Sequence, residues 1–266
     1  MSVYTNDSFQ RPVLGVNLPN NRFIFNGKKL NNLAVIEKIT RTLVPPSEAQ
    51  AYAVPGSHGQ VFSNFRYGVR RISVDIRIVE ETYEEALEAQ LVLASRLYSE
   101  KPAELVLNDM DYSNFALLTS EVELENVYDT LQGTLEFICY DPFNYGETIE
   151  VLVGESGVDG IYLGGPGTPI RFRIENTEGL NLPDGFEFSI KGEGRWGNIS
   201  IDGPLVIGVN IPITYDNYSL VAGDTNINNK LNLDNSNIPV MPMGNWQASI
   251  SPYVPEFKLI YRERYL

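Results

Sequence analysis

The sequence predicts a mainly β protein with two domains, an N-terminal β-sandwich covered by one α-helix and a C-terminal β-sandwich. Three observations support this fold class: the composition, the two-residue alternation of several segments, and one isolated stretch of helical periodicity. Fifteen tyrosines, 12 phenylalanines, 22 glycines and 16 prolines in 266 residues suit strands and turns better than helical bundles. The chain is longer than a typical single domain, so two domains are expected, residues 1–145 and 146–266.

The N-terminal domain is predicted to hold several strands. Residues 22–25 form a first strand, and Asn26-Gly27 supplies the positive-φ pair of a tight hairpin. Residues 33–42 are a second candidate. Residues 67–79 alternate most clearly, because isoleucines and Val74 occupy one face and polar residues, including Arg71 and Arg77, occupy the other. Further strands are predicted at residues 103–107, 121–125 and 134–140.

One helix is predicted, over residues 82–99. Thr82 and Glu85 have the spacing of a capping box, and Pro102 prevents the helix from continuing. Its periodicity predicts a packing face made of Tyr83, Ala86, Leu87, Leu91, Ala94, Leu97 and Tyr98. The opposite face is polar and contains Glu84 and Glu88, with Val92 between Glu88 and Arg96.

Residues 43–65 contain Pro45-Pro46 and Pro55-Gly56 and show little periodicity. A connection of this length inside a compact domain usually has a function. We consider two interpretations, a disordered flap and an arm that reaches a neighbouring subunit.

The C-terminal domain is predicted to begin after the turn-rich segment 141–146. Short strands then recur at intervals of about 8 to 12 residues, which is typical of a β-sandwich. Residues 210–237 are expected to be mostly loop with one short strand.

The net charge of −14 is shared evenly by the two halves of the chain. Proteins that bind nucleic acid neutralise phosphates with lysine and arginine, so this balance argues against DNA binding. The single cysteine, Cys139, lies in an apolar run and is predicted to be buried, which leaves no disulfide framework. Residues 1–20 lack the apolar core of a signal peptide, and no run of about 20 apolar residues suggests a membrane helix. We therefore expect synthesis in a reducing cytoplasm and no membrane partner.

Candidate catalytic and ligand-binding groups are few. His58 is the only histidine, and its setting, Pro55-Gly56-Ser57-His58-Gly59, is typical of an exposed turn. The glycine-rich segment 164–167 precedes a strand instead of a helix, so it is predicted to be a turn and not a phosphate loop. The glutamates at the start of the helix favour its dipole. The sequence therefore predicts no catalytic residue, cofactor or metal site.

Several segments together resemble one protein family. They are FIFNGKKL (23–30), VPGSHG (54–59), the strand at 67–78, the helix, YDPFNYG (140–146), PVMPMGNW (239–246) and FKLIYRERYL (257–266). In order and spacing the chain resembles the distal tail proteins (Dit) of long-tailed, non-contractile bacteriophages. The resemblance extends over nearly the whole chain.

The resemblance implies a non-enzymatic structural protein of the virion tail tip, assembled in the host bacterial cytoplasm. It implies a ring, usually of six copies, built by the N-terminal domain around the DNA channel, with a galectin-like C-terminal β-sandwich outside. Its implied partners are the tail tube protein on one side, the tail-associated tip or lysin protein on the other, and receptor-binding proteins. DNA would pass through without specific binding, since an acidic lumen does not retain phosphates.

Within that interpretation we predict the partner-contact residues. Pro55, Gly56, His58 and Gly59 belong to the candidate arm; Arg71 and Arg77 belong to the alternating strand; Glu84, Glu88 and Val92 belong to the polar helix face. Simple solvent exposure is the alternative for the charged residues.

The sequence is also compatible with two other functions. A lectin-like module would use Trp196 and Trp246 to stack on sugars, although core packing is the more common role of a strand tryptophan. An acidic glycoside hydrolase would need a carboxylate pair from the glutamate-rich helix start.

Overall fold

The structure, a computed structural model, describes residues 22–266 except 57, 79, 109–110, 120–121, 128–129 and 238. The chain divides into two compact units, Met1–Pro142 and Phe143–Leu266. The predicted fold class is confirmed, since the described residues are mainly β and contain one α-helix. The predicted domain boundary, between residues 145 and 146, falls inside a strand of the second unit, Asn144–Leu152.

The first unit contains ten described strands and the helix. They are β1 (Phe23–Phe25), β2 (Lys28–Lys29), β3 (Val35–Arg41), β4 (Ser47–Tyr52), β5 (Val61–Tyr67), β6 (Arg70–Ile78), α1 (Tyr83–Leu97), β7 (Ala103–Leu107), β8 (Ser113–Leu118), β9 (Leu124–Val127) and β10 (Thr130–Cys139). Antiparallel pairing gives one sheet in the order β2-β1-β7-β8 and another in the order β3-β6-β10-β9, and β8 also pairs with β10. The sequence analysis does not predict strand β8.

The core of the first unit lies between these sheets and under the helix. The alternation predicted for β6 is confirmed, because Ile72, Val74, Ile76 and Ile78 are all buried. Across the ladder, Ile72 is paired with Phe137, whose ring lies 5.5 Å from that of Phe25. Cys139 is buried as predicted, and burial raises the pKa of its thiol to about 11.

The start of helix α1 follows the prediction. The Glu85 backbone N–H donates to Thr82 Oγ1 at 3.3 Å, and the Thr82 N–H donates to Glu85 Oε2 at 3.1 Å. These two bonds complete the capping box. The helix ends at Leu97, two residues before the predicted end.

The predicted packing face of α1 is correct for Ala86 and Leu97 and wrong for the other five residues. The buried residues are Ala86, Ala89, Leu93 and Leu97, whereas Tyr83, Leu87, Leu91, Ala94 and Tyr98 are exposed. Apolar side chains cover more than half of the helix circumference, so periodicity alone does not select the buried face. The face with two alanines allows the helix to approach the sheet closely, and a second apolar stripe remains in solvent.

The described residues of the second unit form thirteen strands: β11 (Asn144–Leu152), β12 (Val158–Tyr162), β13 (Arg171–Ile174), β14 (Leu180–Leu182), β15 (Gly185–Gly192), β16 (Arg195–Asp202), β17 (Leu205–Ile207), β18 (Ile213–Asp216), β19 (Ser219–Ala222), β20 (Thr225–Asn226), β21 (Leu231–Asn237), β22 (Gly244–Ser251) and β23 (Phe257–Tyr265). The sequence does not predict β12, β14 or β18–β20. Residues 210–237, expected to be mostly loop, contain four strands and a 3₁₀ turn at Asn228–Lys230.

Two sheets of the second unit enclose one core. The first has the order β11-β23-β13-β18-β19-β20, and the second has the order β12-β22-β15-β16-β21. Phe257 stacks on Phe172 of its own sheet at 4.9 Å and on Phe188 of the facing sheet at 5.2 Å. This interleaving of aromatic rings makes the unit a β-sandwich.

Candidate interaction surface

Strands β4 and β5 form a hairpin that belongs to neither sheet of the first unit. They pair with each other from Ser47↔Tyr67 to Tyr52↔Val61, and with no other described strand. All their residues except Tyr67 are exposed. The segment predicted as a flap or an arm is therefore an ordered hairpin.

The hairpin has two different faces, because residues paired across an antiparallel ladder share a face. One, which we call the aromatic face, holds Phe62, Phe65 and Tyr67 opposite Ala51, Ala49 and Ser47. The Phe65 and Tyr67 rings meet edge to face at 4.9 Å. On the polar face, Arg66 Nε donates to Glu48 Oε2 at 2.7 Å.

An isolated two-stranded hairpin is marginally stable in water unless one face packs on another element. In this chain the apolar side chains of Phe62 and Phe65 stay exposed. The aromatic face therefore has the properties of a surface that becomes covered in an assembly.

Arg70 fixes the base of the hairpin. Its Nε donates to the Pro142 carbonyl at 2.7 Å and its Nη1 donates to the Thr42 carbonyl at 3.3 Å, while the Gly68 N–H donates to the Pro46 carbonyl at 2.6 Å. The guanidinium is buried, and this desolvation lowers its pKa. The residues before β4 and after β5 are thus held together.

The predicted arm residues lie together at the tip of the hairpin. Pro55, Gly56, His58 and Gly59 are exposed there, and Ser57 lies outside the described residues. The other predicted contact residues lie elsewhere.

Arg71 and Arg77 are on the solvent face of β6, where Arg77 Nε is 2.8 Å from Glu37 Oε1. Glu84, Glu88 and Val92 are exposed on α1, which packs on the opposite, apolar face of that strand. The predicted residues therefore do not form one continuous patch.

The solvent face of the β3-β6-β10-β9 sheet is acidic. An open groove of about 650 Å³ crosses it and is lined by Glu37, Asp75, Glu123, Glu125 and Glu136 among others. Thr134 Oγ1 donates to Asp75 Oδ1 at 2.7 Å. Within the described ranges no cluster of three or more acidic, histidine or cysteine side chains is arranged to hold a metal ion.

The two tryptophans do not form a common sugar platform. Trp246 is only 3% exposed, and its ring packs edge to face on Tyr261 at 6.0 Å, so it is a core residue and its predicted stacking role is wrong. Trp196 is 64% exposed. A nearby pocket of about 230 Å³ includes Asn198 and Ser236, but the polar side-chain atoms of both residues already bond within the unit.

The sequence reasoning missed Phe62 and Phe65 as candidate contact residues, and it misassigned Leu91 and Tyr98 to the packed face of α1. Two features of the sequence could have predicted the hairpin: Ala49 and Ala51 are two residues apart, and residues 62–67 are rich in aromatic side chains. The bulge at Ser63 interrupts that alternation. Among the described residues, no helix has the length and apolar character that crossing a bilayer requires.

Comparison with known proteins identifies one matching family model and one similar fold. The family model of the phage tail protein RIFT-related domain matches residues 26–139, which include the hairpin, α1 and β6–β10. No curated protein matches the chain.

Among solved structures, the chain is similar to the SPP1 Dit (gp 19.1) protein, a hub of the adsorption apparatus of phages infecting Gram-positive bacteria. The TM-score is 0.71 at 14% identity, over 92% of this chain and 99% of that one. It is also similar to a chain of the phage P2 baseplate in its activated conformation with Ca, with a TM-score of 0.55 at 12% identity over 89% of this chain and 92% of that one. For the same baseplate with Sr the TM-score is 0.52 at 13% identity, over 88% and 92%. The resemblance to distal tail proteins is confirmed: residues 26–139 match the model of the phage tail protein RIFT-related domain, and the chain has the fold of the SPP1 Dit protein.

Proposed function

We propose that this protein is a structural hub of a phage tail tip and that it works as a ring of identical copies, six in number. The family match of residues 26–139 supports a role in the tail, and the likeness to the Dit fold supports the hub position. The ring joins the tail tube protein to the tail-associated tip protein, and receptor-binding proteins attach to the assembly. The protein is assembled in the host cytoplasm and resides in the virion tail, and it has no enzymatic role.

The observation that carries the ring proposal is the amphipathic β4–β5 hairpin. Its aromatic face is uncovered in the single chain, although a hairpin of this size needs a packing partner. A second copy is the partner that is always available at equal concentration during assembly. The hairpin is therefore the arm that reaches the neighbouring subunit.

The acidic sheet face supports a channel role. DNA carries about one negative charge per 1.7 Å of duplex axis, so a basic lining would retain it by counterion release. Among the described residues, the groove over β6, β9 and β10 is lined by five carboxylates and by no lysine or arginine, and one of the five, Glu37, pairs with Arg77 at its edge. We assign this face to the lumen, where it lets DNA pass without binding. We further propose that the second unit is a galectin-like domain.

Light scattering combined with electron microscopy of the purified protein tests the proposal. We expect a particle of six times the 29.8 kDa chain mass, with a central opening. A strict monomer at high concentration, both alone and with the tail tube protein, would refute the ring.

A hairpin deletion makes the test specific. Replacing residues 47–67 with two glycines preserves the neck, because Pro46 and Gly68 already lie within hydrogen-bond distance. We expect a folded monomer with native-like β-sheet circular dichroism. Intact rings after this deletion would show that the hairpin is not the arm.

A further inference from the structure

An apolar groove lies beside α1 in the first unit. It holds about 350 Å³ and is lined by Gln90, Leu93, Ala94, Leu97, Tyr98, Ser99, Leu118, Val122, Leu124 and Leu135. Cavities of roughly 300–1,000 Å³ accommodate drug-sized organic groups, so aromatic side chains fit a groove of this size. None of the described residues that line it is charged.

An exposed apolar stripe extends this groove along the helix. At about 100° per residue, Tyr83, Leu87, Leu91, Ala94 and Tyr98 lie on the flank of α1 that borders the groove. Leu91 is 72% exposed and Tyr98 is 68% exposed. Groove and stripe together form one apolar surface, which we call the helix-side surface. Val92 lies on the opposite flank.

The hairpin and the helix-side surface match in length. The aromatic face runs from Phe62 to Tyr67, which is about 17 Å of strand at ~3.3 Å per residue. The stripe from Tyr83 to Tyr98 is about 22 Å of helix at ~1.5 Å per residue. The whole aromatic face can therefore lie along the helix.

The two surfaces also match in charge. The chain carries a net charge of −14, so two copies repel each other in general. Neither the aromatic face nor the described part of the groove lining contains a charged residue. Contact between them therefore brings copies together where electrostatic repulsion is smallest and apolar burial is largest.

A copy does not use its own hairpin for this purpose, because Phe62, Phe65, Leu91 and Tyr98 are all exposed in the single chain. The aromatic face and the helix-side surface are two different surfaces of the same unit. A contact between two different surfaces is head-to-tail, and it generates a ring when the rotation closes.

We propose that the aromatic face of one copy's hairpin docks on the helix-side surface of the next copy. This inference rests on the proposed ring and names the surface that receives the arm. Phe62 and Phe65 enter the groove beside Leu97 and Tyr98, and Leu91 packs against the hairpin alanines.

Engineered cysteines test the contact directly. The only native cysteine, Cys139, is buried with a raised thiol pKa, so it reacts little with added thiols or oxidants. A Phe65→Cys/Ala94→Cys double variant should form a ladder of disulfide-linked multimers under mild oxidation. A mixture of the two single variants should give only the crossed dimer.

The matched control is Phe65→Cys/Leu152→Cys, because Leu152 is an exposed leucine of the second unit. It should give no ladder. Rings of the double variant that show no Phe65–Ala94 cross-link would overturn the docking proposal while leaving the ring itself intact. The absence of both rings and cross-links would overturn the ring proposal as well.

A second measurement does not depend on disulfide geometry. Leu91→Asp places a charge in the middle of the stripe without touching the core. We expect it to raise the protein concentration for half-maximal assembly at least tenfold with an unchanged melting temperature, while Leu152→Asp leaves assembly unchanged. Equal assembly of the two variants would contradict the proposal.

Discussion

A single buried cation, Arg70, holds the base of the hairpin. Its guanidinium bonds two backbone carbonyls, of Thr42 and Pro142, while Nη2 has no hydrogen-bond partner among the described residues. A buried charge without a carboxylate partner is costly, so we infer that the two carbonyl contacts offset part of this cost. The neighbouring Arg71 is exposed and makes no such contact.

We expect Arg70→Ala to lower the free energy of unfolding by about 3 kcal/mol, because two buried carbonyls lose charge-assisted bonds. Urea denaturation of dilute, monomeric protein measures this change. Arg71→Ala is the matched control and should stay within about 0.5 kcal/mol of wild type. Similar effects of both substitutions would show that Arg70 is not a structural clamp.

We expect alanine substitution of the two tryptophans to change stability by very different amounts. Trp246 fills the core so tightly that a Cβ on Gly160 would lie 2.5 Å from its ring. Trp246→Ala should therefore cost about 3–5 kcal/mol of stability. Trp196→Ala should change stability by less than about 0.5 kcal/mol. Thermal denaturation of both variants checks this, and a strongly destabilised Trp196→Ala would contradict its surface placement.

Val92 is 41% exposed on the polar flank of α1, and its backbone carbonyl accepts a bond from Ser95 Oγ. We expect Val92→Asp to weaken ring formation more than folding, and to weaken it less than Leu91→Asp does. Sedimentation velocity over a concentration series, with melting curves, separates the two effects. Wild-type assembly of Val92→Asp would mean that this flank faces solvent.

The start of helix α1 is determined by neighbouring residues in the sequence, whereas its buried face is not. Its start follows from Thr82 and Glu85, whose reciprocal bonds involve only the first turn, and the sequence predicts it. Its buried face depends on which side chains let it approach β6 and β10, and that information is not local. The prediction was therefore correct for the existence of the helix and wrong for its orientation.

The pairing of β13 with β23 carries a pH-sensitive contact. Lys258 Nζ donates to Glu175 Oε1 at 2.8 Å, and Arg173 Nη2 lies 3.3 Å from Glu175 Oε2. The bond from Lys258 lowers the pKa of Glu175 below its usual 4.5. A lowered carboxylate pKa adds stability above the unfolded-state value, and this stability is lost as the pH falls through the folded-state pKa.

We therefore expect the melting temperature of the wild type to fall more steeply than that of Glu175→Gln between about pH 5 and about pH 3. Glu178→Gln is the control, because Glu178 is exposed and forms no ion pair among the described residues. Calorimetry at several pH values measures the slopes. Parallel slopes for wild type and Glu175→Gln would contradict the contact.

At the scale of the whole molecule, the sequence predicted the mainly β class, because alternation in segments such as β6 and the lone capped helix are strong local signals. It did not predict the short strands β18–β20. The pairs β18–β19 and β19–β20 close across two-residue turns, whereas the pairing of β18 with β13 joins residues that are distant in the sequence. It also singled out residues 43–65 but did not predict the hairpin or its aromatic face, since the bulge at Ser63 disrupts the alternation.

That bulge has a consequence for how copies can join. A hairpin outside any sheet presents two open edges, and open edges invite strand-by-strand growth into fibres. Here a bulge interrupts the ladder of the hairpin between Gln50 and Ala51. The hairpin is also flanked by Pro45, Pro46 and Pro55, which have no backbone N–H to donate. The hairpin is thereby poorly suited to edge-to-edge extension, whereas its aromatic face stays available for contact with another copy.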